Sequence, residues 1–220
     1  MLQVKNISKV YQKNDQEVKA IDNVTLNLTN GDFVSLIGPS GSGKSSLLLM
    51  LGGMLTPTFG KVWLEGQSLY DLSAEERSPL RQKKIGFVFQ TFNLIPYLSA
   101  LENVQIPLLL SGLKPKEQAD KATHLLEKVG LYDRMHHKPS ELSVGQQQRI
   151  ALARMLANDP ALILADEPTG NLDPEMSQTV MNFLIDLNQQ GKTILLVTHD
   201  MHVASQAKRT LQLSKGGTLA

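Results

Sequence analysis

Apolar and polar positions alternate along the first part of the chain, as half-buried β-strands require. The segment from Leu2 to Tyr11 alternates loosely, and the segment from Ala20 to Thr29 alternates more cleanly, so we predict a strand for each. The Asn30-Gly31 dipeptide that follows is the strongest short-range signal for a hairpin turn. The segment from Asp32 to Ile37 is the next predicted strand. The pattern therefore predicts an antiparallel β part at the start of the chain.

Farther along, short apolar runs typical of strands alternate with longer helical patterns. The predicted strands are Lys61 to Leu64, Ile85 to Phe89, Ala161 to Ala165, Thr193 to Thr198 and a last one near Leu211. The predicted helices are Ser45 to Leu55, Val144 to Asn158, Pro174 to Gln190 and a short one after Thr198. Such alternation is typical of a mostly parallel sheet with helices on both faces. We therefore predict an α/β fold.

One stretch, from Leu94 to Glu141, has helical patterns and few strand signals. Within it, Ser99 followed three residues later by Glu102 matches a capping box, which is a signal for the start of a helix. We predict an α-helical subdomain at approximately residues 91–150. It would be inserted into one domain that spans residues 1–220.

Composition narrows the functional classes. The chain has 220 residues, of which 41% are hydrophobic and 20% charged, an ordinary balance for a globular domain. Lys and Arg number 22 and Asp and Glu 21, for a formal net charge of +1. This balance lacks the basic excess that nucleic-acid binding needs, so we expect no nucleic-acid partner. The absence of cysteine excludes disulfides, thiolate metal sites and cysteine nucleophiles.

The chain also lacks a sequence signal for crossing a membrane. The first fifteen residues contain no apolar core of the signal-peptide type. The longest apolar run, about Leu47 to Leu55, is shorter than the ~20 residues that a spanning helix needs. We therefore expect a cytosolic protein whose membrane association, if any, comes through a partner.

The sharpest chemical signal begins at Gly38. The sequence GPSGSGKS matches the phosphate-binding pattern G-x-x-x-x-G-K-[ST], with a predicted strand before it and a helix after it. Its glycines let backbone N–H groups face phosphates. Lys44 is predicted to reach the β- and γ-phosphates, and the Ser45 hydroxyl to ligate Mg²⁺. A chance glycine-rich turn, the alternative, arises at roughly 4 × 10⁻⁵ per position. The predicted nucleotide contacts are Gly38, Pro39, Ser40, Gly41, Ser42, Gly43, Lys44, Ser45 and Ser46.

Two carboxylates follow the apolar run from Leu162 to Ala165. Ligands of doubly wound sheets bind at the carboxyl ends of strands. We predict that Asp166 holds Mg²⁺ and that Glu167 acts as the general base on water. In isolation, an Asp-Glu pair after a strand is also the ordinary start of a helix.

The segment LSVGQ, residues 142–146, contains a second capping box, formed by Ser143 and Gln146. The residues after it give a helix with an apolar face. Taken alone, this pattern favours a well-capped core helix. The other interpretation is a helix N-terminus directed at a phosphate.

These motifs, in their order, resemble the nucleotide-binding domain of ABC transporters. The set comprises the phosphate loop, Gln90 after a strand, LSVGQ, LILADE, the sequence GNLD at residues 170–173, and His199 after a strand. The resemblance spans Tyr11 to His199. It implies a P-loop NTPase core with an N-terminal antiparallel β subdomain and an inserted helical subdomain. It also implies ATP and Mg²⁺ as cofactors.

Within the chain's own site, the resemblance implies four roles. Tyr11 would stack on adenine. Gln90 would sense Mg²⁺ and the attacking water, and the segment from Thr91 to Pro96 would join it to the helical subdomain. His199 would orient the γ-phosphate and Glu167. Taken alone, a Tyr at a strand end is usually surface packing, and a single His is usually structural.

The resemblance also implies contacts across a homodimer. In it, the γ-phosphate of the ATP bound to one subunit would be contacted by Ser143, Gly145 and Gln146 of the other. Asp173 would be a contact between the subunits. The second position of this signature is Val144, where the family most often has Gly. A side chain is acceptable there if φ stays negative.

ADEPTGNLD together with LSVGQQQR resembles the lipoprotein-release, macrolide-exporter and cell-division subgroup of the family. We expect an ATPase that drives a separate permease from the cytoplasmic face of the inner membrane, for export, lipoprotein release or mechanotransmission. The alternative is a soluble ABC-type ATPase of translation or DNA repair. Translation types carry two such domains, and repair types insert a coiled coil longer than the stretch between Gln90 and Leu142. A P-loop kinase would lack LSVGQ.

Overall fold

Two β-sheets and seven α-helices make up the part of the chain that the computed structural model describes, residues 1–13 and 16–219. The strands are β1 (Leu2–Lys13), β2 (Gln16–Leu28), β3 (Phe33–Ile37), β4 (Phe59–Leu64), β5 (Gln67–Ser68), β6 (Ile85–Val88), β7 (Leu162–Asp166), β8 (Thr193–Val197) and β9 (Arg209–Gln212). The helices are α1 (Lys44–Leu51), α2 (Ala74–Lys84), α3 (Ala100–Leu110), α4 (Pro115–Lys128), α5 (Val144–Met155), α6 (Pro174–Gln189) and α7 (Met201–Ala204).

The first sheet is antiparallel and has the strand order β2-β1-β4-β5. β1 and β2 pair from Leu2 opposite Leu28 to Tyr11 opposite Val18. At the base of this hairpin, one face is buried and the other is exposed, which explains the alternating pattern of the sequence. Toward its tip the side chains of both strands are exposed, so this part of the pair lies in solvent.

The second sheet is parallel throughout and has the order β6-β7-β8-β3-β9. The central strands β7 and β8 are almost entirely buried, and their continuous apolar runs suit a sheet that is covered on both faces. The carboxyl ends of all five strands lie at the same edge of the sheet. The predicted α/β fold with an antiparallel part and a mostly parallel core sheet is confirmed.

Helix α1 lies in the apolar core between the two sheets. Leu47, Leu48, Met50 and Leu51 of this helix are buried against side chains from both. Burying one such side chain contributes about 1.5–3 kcal/mol relative to leaving it exposed. This packing fixes the N-terminus of α1 at the carboxyl edge of the parallel sheet.

The hairpin predicted at Asn30-Gly31 is wrong. The turn exists, with Gly31 at φ 76°, but β2 before it and β3 after it belong to different sheets. Distant side chains hold this crossover. The Gly31 N–H donates to the Thr193 hydroxyl at 3.0 Å, and the Asn188 amide donates to the Gly31 carbonyl at 3.0 Å. The dipeptide fixes the turn, but the partners that direct the chain into the second sheet lie far away in sequence.

Helix α2 was not predicted from the hydrophobic pattern. None of its residues is buried, so it has no apolar stripe that periodicity can detect. Its start is marked by a capping box, in which the Ser73 side chain accepts from the Glu76 N–H and the Glu76 side chain accepts from the Ser73 N–H.

Helices α3 and α4 fall within the predicted helical subdomain of residues 91–150, and α5 begins within it. Their buried side chains share one core, which includes Val104, Leu126 and Ile150. Helix α5 continues to Met155, so the predicted boundary near residue 150 lies inside a helix. Treating residues 91–150 as a subdomain of a single domain stays a prediction.

Candidate functional site

The phosphate loop connects β3 to α1 at the carboxyl edge of the parallel sheet. Gly41 and Gly43 have φ values of 77° and 95°, in the left-handed region that favours glycine. An added Cβ at Gly43 would also overlap the carbonyl oxygen of Ala20 on β2. This close approach joins the loop to the antiparallel sheet and explains why glycine is needed at position 43.

Lys44 is the first residue of α1, and its ammonium group turns back over the loop. Its Nζ donates to the carbonyl oxygens of Gly38 at 2.8 Å and Pro39 at 3.0 Å. The N-cap residue Gly43 supplies no side-chain cap to the helix. The uncapped helix N-terminus and the cation therefore make this loop electropositive.

Asp166 ends β7 beside the start of α1. Burial raises the pKa of its carboxyl group, and the charge of Glu167 raises it further, whereas the Ser45 hydroxyl and Lys44 lower it. Its Oδ1 atom is buried and has no hydrogen-bond partner among the described residues. A buried carboxylate oxygen without a partner is costly unless it binds a cation or a proton.

Glu167 follows directly and adopts a strained backbone, with φ 47°. A non-glycine residue in this region costs on the order of 1–3 kcal/mol, and such strain clusters at functional sites. Its N–H donates to the Val197 carbonyl at 2.9 Å, which fixes the peptide at the end of β8. Its Oε1 lies 2.9 Å from Nδ1 of His199, which follows β8. Two neighbouring strands thus bring Glu167 and His199 together.

Gln90, beyond the end of β6, completes the same cleft. The cleft has a volume of ≈ 370 Å³, and its walls come from the phosphate loop, Ala20, Gln90, Asp166 and Glu167. The carbonyl of Gln90 accepts a hydrogen bond from the Asn171 amide at 3.1 Å, so the loops at 90 and 171 are in contact. No sequence motif signals a role for Ala20, and Asn171 is marked only as part of the GNLD segment, with no contact to Gln90 predicted from it.

The LSVGQ segment, residues 142–146, forms the start of α5. The Ser143 side chain accepts from the Gln146 N–H at 3.3 Å, and the Gln146 side chain accepts from the Ser143 N–H at 2.9 Å. The capped helix expected from the pattern is therefore present. An added Cβ at Gly145 would overlap the side chain of Met176 on α6. Among the described residues that line the cleft, none belongs to this segment.

Asp173 and Tyr11 also lie outside the described lining of the cleft. Asp173 is the N-cap of α6, and its Oδ1 accepts from the Met176 N–H at 2.9 Å. Tyr11 is 41% exposed, it faces Val18 across the hairpin, and the ammonium of Lys9 lies 5.2 Å from the centre of its ring. The single chain thus brings most of the predicted phosphate, metal and base residues to one cleft. The predicted residues outside its described lining are Gly38, Pro39, Ser42, His199, Ser143, Gly145, Gln146, Asp173 and Tyr11.

Among residues 1–13 and 16–219, no helix is both long and apolar enough to cross a membrane. Within the same residues, no group of three or more His, Cys, Asp or Glu side chains is arranged to hold a metal ion by itself.

Comparison with known proteins agrees with this geometry. The family model described as ABC transporter matches residues 21–170. The chain is 45% identical over 216 residues to the macrolide export ATP-binding/permease protein MacB of Hyphomonas neptunium. This alignment covers 98% of this chain but 34% of that protein. It is 44% identical over 216 residues to an uncharacterized ABC transporter ATP-binding protein of Thermotoga maritima, covering 98% of this chain and 92% of that protein.

A solved structure is also similar over the whole chain. It is the dimeric structure of a post-hydrolysis state of the ATP-binding cassette MJ0796, bound to ADP and Pi, with a TM-score of 0.93 and 44% identity. The match covers 100% of this chain and 96% of that one. The protein named MJ0796 comes from Methanocaldococcus jannaschii. This chain therefore belongs to the ABC transporter family and carries its ATP-binding domain.

Proposed function

We propose that this chain binds ATP with Mg²⁺ in the cleft at the phosphate loop, hydrolyses the nucleotide, and works as a homodimer that drives a membrane permease. One observation carries the proposal. A cation and two carboxylates, Lys44, Asp166 and Glu167, converge on a single cleft beside a glycine-rich loop. The loop and Lys44 suit phosphates, and the carboxylates suit a cation and a water molecule. The ADP and Pi in the similar cassette support the same assignment.

The nucleotide would lie along residues 38–46. The loop N–H groups and Lys44 would bind the phosphates, and the ammonium would exchange its two carbonyl partners for phosphate oxygens. Tyr11 would stack on the adenine. Its ring is exposed on the hairpin whose second strand also supplies Ala20 to the cleft.

The residues at the cleft fit Mg²⁺. The buried Oδ1 of Asp166, which lacks a hydrogen-bond partner among the described residues, is a hard oxygen ligand. The Ser45 hydroxyl lies close enough to the same carboxyl group to lower its pKa. Ser45, Asp166 and Gln90 would hold the ion together with phosphate oxygens. The ion would neutralise charge that develops on the transferred phosphoryl group.

Glu167 would supply the base. Its carboxylate would take a proton from water as the water oxygen attacks the γ-phosphorus and the bond to the β–γ bridging oxygen breaks, leaving ADP and phosphate. His199, at 2.9 Å from Glu167, would fix the direction of this carboxylate and donate to the γ-phosphate. Gln90 would orient the water.

A second copy of the chain would complete the site. Ser143, Gly145 and Gln146 lie at the start of α5, outside the described lining of their own cleft. Ser143 is exposed and Gln146 is partly exposed, whereas Gly145 is buried against Met176, so the exposed side of this turn would face the cleft of another subunit. Each subunit has one phosphate loop and one such segment, so a two-fold pair would give two composite sites. Asp173 would contact the partner beside them. The similar cassettes of known structure are dimers.

The permease is proposed from the relatives. The MacB proteins that the chain resembles are named as macrolide export ATP-binding/permease proteins, and the chain spans about a third of their length. We propose a separate permease subunit and a position at the cytoplasmic face of the inner membrane. Export, lipoprotein release and mechanotransmission are all compatible with this arrangement. The alternative, a soluble ABC-type ATPase, predicts that no integral membrane protein copurifies with the chain.

Glu167→Gln tests the proposed activity. Glutamine keeps the shape of the side chain but cannot accept the proton, so turnover should fall about 10²–10⁴-fold, or roughly 3–5 kcal/mol in the barrier. ATP binding should remain, and the variant should form an ATP-stabilised dimer in size-exclusion chromatography. Glu175→Gln, an exposed carboxylate at the start of α6, is the matched control. Wild-type turnover in Glu167→Gln, with or without the permease, would make His199 the next candidate base.

A further inference from the structure

The loop after Gln90 has an unusual backbone. Phe92 and Asn93 are consecutive non-glycine residues with φ values of 59° and 49°, in a region that such residues rarely adopt. The Asn93 N–H donates to the Thr91 carbonyl at 2.6 Å, and the Thr91 hydroxyl donates to the Asn93 side chain at 2.8 Å. A strained turn of this kind persists only when surrounding groups hold it.

Arg154 of α5 holds this turn from outside. Its guanidinium group donates to the Asn93 carbonyl at 2.7 Å and to the Phe92 carbonyl at 2.5 Å. The two hydrogen bonds come from different nitrogens of one planar group, which fixes two successive peptides at once.

The surroundings of the Arg154 guanidinium neither favour its positive charge nor neutralise it. Burial lowers the pKa of Arg154. Within residues 1–13 and 16–219, no carboxylate forms an ion pair with it. A partly buried cation whose hydrogen bonds go to backbone carbonyls is costly to retain for packing alone. Its contacts instead point to the peptides of the Gln90 loop.

Helix α5 joins this contact to the LSVGQ segment. Ser143 caps the first turn of α5, and Arg154 lies in its last turn. At 1.5 Å per residue, the two are separated by about 16 Å along one rigid element. A displacement of the Ser143 end therefore moves the donors that hold Phe92 and Asn93, next to Gln90 in the cleft.

We infer that Arg154 is a positioning residue, which binds the Phe92 and Asn93 carbonyls so that the placement of Gln90 in the cleft follows the position of α5. The expected effect of Arg154 on turnover rests on the proposed ATPase function. Arg154 takes no part in the chemistry of the catalytic groups. Arg154 is not among the described residues that line the cleft, so it acts through Gln90.

The chain offers a matched control on the same helix. Arg149 is also a partly buried arginine of α5, and its guanidinium donates to the Val129 carbonyl at 3.1 Å, away from the Gln90 loop. Arg154→Met and Arg149→Met each remove one guanidinium that binds backbone carbonyls. A purely structural role predicts similar effects of the two substitutions.

The first measurement is amide hydrogen exchange without nucleotide. The Phe92 and Ile95 N–H groups donate to the Phe89 carbonyl and the Asn103 side chain, so both report on the loop. Arg154→Met should speed exchange at residues 92–95 about tenfold or more, and Arg149→Met should leave it unchanged. Equal exchange of this segment in wild type and Arg154→Met, with both proteins folded, would overturn the inference.

The second measurement is a double-mutant cycle with Gln90→Ala. Arg154→Met should lower kcat about tenfold with the KM for ATP within twofold, and should raise the Mg²⁺ concentration needed for half-maximal turnover. In the Gln90→Ala background it should lower kcat no further. Multiplicative effects would overturn the inference. If the wild-type chain hydrolyses no ATP, the proposed function fails, and the hydrogen-exchange measurement alone decides the role of Arg154.

Discussion

Helices α1 and α5 both begin at sequence motifs, but only α5 has side chains that accept hydrogen bonds from the backbone N–H groups at its start. α1 starts after Gly43, at φ 95°, with no side-chain cap. α5 starts at Ser143, where the side chains of Ser143 and Gln146 form a reciprocal capping box. The first start leaves donors for an anion beside Lys44. The second satisfies its donors within the chain.

The comparison shows what a capping box does and does not reveal. Helices α2 and α3 carry the same reciprocal box, at Ser73 with Glu76 and at Ser99 with Glu102. The box therefore marks helix starts in general, whatever their function. A role of Ser143 at a phosphate needs something more than the fold of one chain, namely a second subunit to supply the nucleotide.

Lys44→Ala should have the largest effect, because it removes the cation from the uncapped helix start. A hydrogen bond to a charged group contributes about 1.5–3 kcal/mol, so ATP affinity should fall roughly 10- to 150-fold and turnover should be lost. Isothermal titration calorimetry and phosphate release measure the two quantities. Lys116→Ala, an exposed lysine at the start of α4, is the control. Wild-type turnover in Lys44→Ala would refute the phosphate-loop assignment.

Ser143→Arg tests whether the capped helix start also serves a partner's nucleotide. ATP binding by the monomer should stay within about twofold, while turnover should fall by about 10²-fold or more, as when a positioned donor is removed from a charged transition state. Ser73→Arg, at the same type of cap on α2, should cost a similar ~1 kcal/mol of stability and keep full turnover. Melting temperature, ATP affinity and turnover, measured together, separate the roles. Equal turnover in the two variants would leave Ser143 as a cap alone.

Asp166→Asn should have the smallest effect of these substitutions on the chain without nucleotide. It should raise the melting temperature, whereas the cap substitutions lower it. The pKa of Asp166 is raised in the folded chain, chiefly by burial. Such a group stabilises the fold below its unfolded pKa, and this contribution is lost as pH rises through the folded pKa. Without nucleotide at pH 7.5, Asp166→Asn should therefore melt higher, on the order of 2 °C, and the difference should shrink toward pH 4.

Thermal melts across this pH range check the sign, and Asp120→Asn, an exposed position on α4, serves as the control. The same Asp166→Asn variant should weaken Mg²⁺-dependent ATP binding, because a neutral amide oxygen attracts a divalent cation less strongly than a charged carboxylate does. A lower melting temperature at pH 7.5 would mean that the ionised carboxylate stabilises the fold.

Local sequence determines most of what the phosphate loop and the helix starts look like. The spacing of Gly38, Lys44 and Ser45 fixes a glycine turn followed by a helix, and each capping box fixes a helix start over four residues. The run from Leu162 to Ala165 fixes a buried strand with Asp166 and Glu167 at its end. These features depend on contacts within one turn or one strand, so a short segment carries the whole signal.

Tertiary structure decided the rest. The Asn30-Gly31 turn became a crossover because Asn188 and Thr193 hold it. Glu167 meets His199 across 32 positions, and Arg154 meets Phe92 across 62, because packing brings elements together that are far apart in the sequence. No local pattern contains these pairs. The free energy that stabilises these contacts comes from burial of apolar side chains along β7, β8 and α5. Because the hydrophobic effect is non-directional, it does not specify which polar groups meet until the whole chain has packed.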